Sequence, residues 1–280
     1  MRSRRPEVET YAGPPRDEPA PSSLTLIGRQ LEYWATVYRR TWRGSFVNSF
    51  ISPVLYLVAM GGVLGRFVDS GGSSLGAAGS YVEFVGPGLL AAQMMQMAVG
   101  EVLWPVMGRI TWNKTYHAMI STPLRVRDVV AGHLLFVIFR IGISAAVFML
   151  VLAVAGVFHS LPGALVVLAI QLLLGAAFAA SFFVIGARAR SDSAFSLTYR
   201  VAFMPMFLFS GAFFPVTNLP SALQVVAWVT PLWHGVELTR MFTLDRVDGP
   251  MATVHLAYLA VLGAAGWWLS VRALRGRLII

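Results

Sequence analysis

The sequence predicts an all-α polytopic membrane protein of six transmembrane helices, with an N-terminal interfacial amphipathic helix and outer-leaflet re-entrant helices between spans five and six. Three observations carry that prediction. Of 280 residues, 56% are hydrophobic and 12% are charged, where soluble domains carry charge on about a quarter of theirs; mean hydropathy is +0.67. Uncharged runs extend over Phe46 to Gly65, Phe84 to Gly100, Ile141 to Ala187, Val201 to Val236 and Gly249 to Val271, and about 20 apolar residues suffice for one spanning helix. Finally, 18 of the 22 Lys and Arg fall in connections that this threading places on one side, the bias that marks the cytoplasmic face.

In chain order, residues 1–23 read as a disordered cytoplasmic tail and 24–280 as the membrane domain. The tail is Pro-rich and acidic, and no apolar core follows Arg4 and Arg5, so it is no export signal. Leu24, Ile27, Leu31, Trp34, Tyr38 and Trp42 then recur at intervals of three and four, with Arg29, Arg39, Arg40 and Arg43 elsewhere. That pattern predicts a helix over 24–43 lying in the interface plane, apolar face in lipid and arginines among anionic headgroups. Spans follow at 46–68, 82–106, 134–157, 163–186, 197–216 and 252–273, the third and fourth joined by a turn at His159 to Gly163. The base-free loop from Asp69 to Tyr81 and that turn lie outside, and both termini lie in the cytoplasm.

Two segments do not span. Pro215, Pro220 and Pro231 break the stretch from Pro215 to Leu244 into pieces too short to cross. Parity requires the stretch to begin and end outside, which predicts two short re-entrant helices at 221–229 and 232–242 within the segment 219–242. Irregular backbone at membrane depth must be shielded by protein or line a cavity. On the other side, Trp112, Tyr116 and Met119 share a face if 111–122 is helical, and Pro123 ends that helix by restricting Thr122. Such a helix between spans two and three is either a loop resting on the membrane or a handle by which a soluble partner moves two spans together.

The stretch TYHAMISTPLRVRDVVAGH at 115–133 resembles the cytoplasmic loop of type 2 ABC exporter permeases. FSGAFFPVTNLPSALQVVAWVTPLWHGVELTR at 209–240 is similar to that family's region around its fifth span, and SPVLYLVAMGGVLG at 52–65 fits the branch of nodulation lipo-oligosaccharide and daunorubicin-type drug export permeases. The resemblance covers about 24–277. It implies a six-span permease in a bacterial cytoplasmic membrane that pairs with a second permease, a copy or a relative, and with two P-loop ATPase subunits. The substrate would be an amphipathic drug, lipid or lipid-linked saccharide. Coupling to the ATPase would then fall on Trp112, Tyr116, Met119, Thr122, Pro123 and Leu124 and on the helix bearing Ile27, Leu31, Trp34, Tyr38 and Trp42. Phe213, Phe214 and Pro215 would form an outer gate.

This chain lacks a P-loop of its own, because its single Lys, Lys114, follows Asn113. No cofactor is therefore expected on it, and ATP and Mg belong to the partner. With no Cys there is no thiolate metal site, and the threading explains the +9 net charge without nucleic acid. Two rival classes remain. An intramembrane enzyme needs a catalytic constellation, yet the motifs His-Glu-x-x-His and Gly-x-Ser-x-Gly are missing and the five His are scattered. An ion-coupled carrier would use Glu101 and Arg140, since intramembrane ionisable groups are functional candidates. These two either form a buried pair, or Arg140 snorkels alone while Glu101 faces a wet vestibule. Gln93, Met94, Gln96 and Met97, midway along span two, either pack against neighbouring helices or line a compliant, weakly polar substrate path.

Overall fold

The computed structural model describes residues 22–59, 62, 65 and 78–279. The expected tail over 1–21, the far part of the first span, most of the first outer loop and the side chain of Trp42 lie outside the described residues. Helices follow in the order α1 Ser23–Leu57, α2 Tyr81–Thr111, α3 Thr115–Ile120, α4 Val126–Val154, α5 Leu161–Arg188, α6 Ser193–Phe209, α7 Ser221–Val229, α8 Pro231–Thr243 and α9 Gly249–Leu278. Among the described residues there is no strand.

Four helices, α2, α4, α5 and α9, have the length and apolar character to cross a membrane. Each begins on a defined cap. Ser80 accepts from Glu83 N–H, Ser160 from Gly163 N–H and Asp248 from Met251 N–H, while the Asp128 carboxylate accepts from Arg125 N–H. Leu150, Val154, Leu165 and Val261 are largely exposed, which suits apolar side chains facing lipid rather than water.

α5 sits at the centre, packed against α2, α4, α8 and α9. Close approach is achieved with small residues, as in other membrane bundles. A Cβ on Gly186 would lie 2.5 Å from the Val102 carbonyl of α2, so only glycine fits there. Gly175 is packed within the chain against Ile141 of α4, where a Cβ would fall 2.6 Å from that side chain. Ser270 of α9 donates to the Ala180 carbonyl at 2.7 Å, and Gln171 of α5 donates to Thr239 of α8 at 2.8 Å. Such hydrogen bonds act as polar glue where water is absent.

Three expectations need correction. The helix predicted over 24–43 does not end before the first span, because α1 continues unbroken from Ser23 to Leu57. α6 stops at Phe209, short of the predicted 216, since Gly211 adopts a left-handed φ of 77° and turns the chain. Its 17 residues rise about 25 Å, and Tyr199–Phe203 forms a π-helical turn within them. Finally, the loop helix is shorter than 111–122. α2 runs on through Thr111, Lys114 takes a left-handed φ of 51°, and α3 covers only Thr115–Ile120.

Candidate functional site

Where α1, α2, α3, α4 and α5 converge, Tyr116 of α3 is fully buried. Its hydroxyl bonds to His133 Nδ1 on α4, and His133 Nε2 lies 3.2 Å from the Glu101 carbonyl on α2. A carbonyl only accepts, so Nε2 carries the proton, Nδ1 accepts and Tyr116 donates. Burial pushes the Tyr116 hydroxyl pKa above its ordinary value, outweighing the nearby Arg109 charge, which pulls the other way. Trp34 of α1 stacks on Phe136 at 4.8 Å, and the Arg109 guanidinium lies 4.3 Å from the Trp34 ring centroid.

That packing revises the predicted faces. Trp34 is 1% exposed and, with Leu26 and Gln30, forms the buried seam of α1. Leu31 is exposed, while Ile27 and Tyr38 are half-buried. Tyr38 meets Phe136 and Phe139 edge-on. Trp112 caps α2 and is 61% exposed, so it does not share a face with Tyr116. Met119 is half-buried, while Thr122 and Pro123 are exposed beside half-buried Leu124. The Thr122 hydroxyl donates to the Met119 carbonyl at 2.6 Å and closes the turn after α3.

Glu101 and Arg140 meet in an ion pair between α2 and α4. Beside them opens a cavity of about 570 Å³ lined by Gln93, Gln96, Met97 and Gly100 of α2, Ser144 of α4, and Tyr199, Phe203 and Met204 of α6. The predicted path residues therefore divide. Gln93, Gln96 and Met97 face the cavity, whereas Met94 is fully buried in the core. Among the described residues the buried Ser144 hydroxyl has no hydrogen-bond partner. Sequence reasoning overlooked an aromatic ladder on α6. Tyr199, Phe203 and Phe207 follow one another at 5.0 and 6.1 Å, and Phe207 reaches Phe213 at 5.1 Å. The four-residue aromatic spacing was the available signal.

At the far end of the ladder, Phe213, Phe214 and Pro215 are half-buried in an irregular loop. Tyr81 donates to the Phe213 carbonyl at 3.1 Å, and Gly88 brings α2 so close to Ala212 that a Cβ would fall 2.6 Å from its backbone. Arg240 of α8, also unanticipated, binds Glu237 at 2.6 Å, the Gly211 carbonyl at 2.9 Å and the Phe84 carbonyl at 3.3 Å. Its guanidinium also lies 4.0 Å from the Phe84 ring centroid. α8 is thereby pinned to both α2 and the loop that follows α6. The histidines are less scattered than expected, because His234 and His255 place their Nδ1 atoms 2.6 Å apart. Among the described residues no group of three or more His, Cys, Asp or Glu could hold a metal ion.

Residues 28–243 match the family model described as ABC-2 type transporter. Nodulation protein J of Sinorhizobium fredii (strain NBRC 101917 / NGR234) is 31% identical over 253 residues, covering 88% of this chain and 94% of that protein. The protein of the same name from Rhizobium leguminosarum bv. viciae is 31% identical over 255 residues, with 88% and 95% covered. That from Rhizobium leguminosarum bv. trifolii is 30% identical over 267 residues, with 92% and 98% covered.

Proposed function

The chain belongs to the ABC-2 type transporter family as a membrane component without catalysis of its own, and on that premise we propose that it is the permease of an ATP-driven exporter. It moves an amphipathic drug, lipid or lipid-linked saccharide outward across a bacterial cytoplasmic membrane, both of its termini lying in the cytoplasm. It works as six spans, with α7 and α8 as re-entrant helices under the outer surface, paired with a second permease and two P-loop ATPase subunits that hold ATP and Mg. The observation that carries this reading is the cavity between α2, α4 and α6, with Gln93, Gln96, Glu101, Arg140 and Ser144 on its α2 and α4 walls and Tyr199 and Phe203 on its α6 wall.

The cavity's facing walls suit the two characters of an amphiphile. Gln93, Gln96 and Ser144 offer hydrogen bonds to polar groups, while Tyr199 and Phe203 offer rings to an apolar body. The Glu101–Arg140 pair offsets the cost of either charge in a low-dielectric wall. Tyr116 and His133 join α3 to the backbone of α2 at Glu101, the residue whose carboxylate belongs to that pair. An ATPase that displaces α3 therefore moves α2 and α4 together and reshapes the cavity, while Phe213 and Phe214 close the outer end between cycles.

The test is affinity purification of the full chain from its native membrane in mild detergent, with mass spectrometry of what accompanies it. A P-loop ATPase in equal ratio is the expected result. A complex holding no ATPase would overturn the reading.

A further inference from the structure

A second groove, of about 440 Å³, lies on the opposite flank of α4, between α4, α5 and α9. Leu135 and Ile138, Ala176, and Gly263, Ala264 and Trp267 line it, and every lining residue is apolar or glycine. α9 is the least buried of the four long helices, so the groove faces the surroundings of the bundle. Charge is distributed unevenly along its axis. Arg188 ends α5, Arg275 and Arg277 end α9, and Arg127 stands in the first turn of α4, all at one end. Arg127 donates to Ser23 at 3.1 Å and lies 3.7 Å from Asp128, yet its side chain is 54% exposed. The other end carries Asp245, Arg246 and Asp248. Arg275 follows Ala264 and Trp267 by eleven and eight residues, which puts it on the groove-facing side of α9. Trp268, exposed and 4.7 Å beneath the Arg272 guanidinium, marks the level of the membrane interface at this same end.

We propose that this groove is a binding site for an anionic phospholipid, one acyl chain lying along Leu135, Ile138 and Ala264 and the phosphate resting among Arg275, Arg277 and Arg127. The groove supplies an apolar slot and the rim supplies the countercharge, so selectivity resides in the headgroup. A zwitterionic lipid of the same chain length fits the slot without the electrostatic gain. The proposal requires only that the chain is inserted in a bilayer and is independent of the export reading.

The purified full chain is equilibrated in detergent with equal amounts of phosphatidylglycerol and phosphatidylethanolamine bearing identical chains, and retained lipid is read by native mass spectrometry. Phosphatidylglycerol is expected to be retained over phosphatidylethanolamine by roughly five-fold for each contributing arginine. Ala264→Phe fills the slot and should abolish retention of both lipids, while Arg275→Gln with Arg277→Gln should leave retention but bring the two lipids towards parity. Equal retention by the unaltered protein, undiminished retention by Ala264→Phe, or loss of a second copy of the chain in that variant would each overturn the proposal. Should Ala264→Phe not fold, the unaltered protein is crosslinked with phosphatidylglycerol carrying a photoreactive group in its acyl chain. Adducts near Leu135 and Ala264 support the site, and their absence refutes it.

Discussion

Removing the guanidinium of Arg240 would strip α8 of its ties to Phe84 and Gly211, and Glu237 of its ion-pair partner, in one step. We expect Arg240→Gln to cost about 1–3 kcal/mol, because the Phe84 and Gly211 carbonyls lose a charged donor, seen as a lower melting temperature in detergent with insertion intact. Tyr116→Phe leaves the His133 Nδ1 acceptor buried without a donor, a loss of about 1–3 kcal/mol; transport per ATP hydrolysed should fall with it. His234 responds to pH. Burial, and second the facing His255, lower its pKa to about 4. Its neutral form thus belongs to the fold, so its stabilising share is complete above about 6.5 and is lost as pH falls towards 4; circular dichroism melts across that range check the sign. Of these residues, Glu101 and Arg140 were legible as a potential pair from their similar depth on adjacent spans. Arg240 was not, since a Glu and Arg three apart in a segment read as re-entrant helices gave no hint of which carbonyls lay across from them.

Long helices were legible as elements because hydropathy over 28–31 residues overwhelms local detail. Shorter ones were located well but bounded poorly. α7 and α8 fall on the predicted 221–229 and within a residue of 232–242, because prolines define their starts. α3 was misjudged because a backbone reversal at Lys114 leaves no compositional trace. The consequence is testable by pairing two substitutions. Tyr116→Ala should cost about 3–5 kcal/mol as a buried aromatic, and Trp112→Ala should leave the melting temperature nearly unchanged. A sharper element-level test is Gly186→Val. Its side chain meets the backbone carbonyls of Val102 and Leu103 rather than a yielding side chain, so α2 and α5 must separate, at a cost of about 1–3 kcal/mol or more, read as loss of monodisperse protein on size-exclusion chromatography.

At the scale of the whole molecule, apolar content and the Lys/Arg distribution are what made a membrane bundle readable before any coordinate. The order of packing was not readable, because in lipid every apolar face is equally at ease. α5 became the hub only where glycines and alanines let its neighbours close upon it. The chain of contacts from Tyr116 through His133 to Glu101 has one more consequence. Its last link is a peptide oxygen, which takes no proton onward, and the ring already holds its only proton on the side facing that oxygen. A push on α3 can thus be handed across three helices mechanically, while a hydronium arriving at the same place finds a dead end. Liposomes holding the purified chain and a pH-sensitive dye should show no faster acidification than empty ones. In the proposed exporter the wiring is a pushrod built from an insulator, and the proton gradient is kept while it moves.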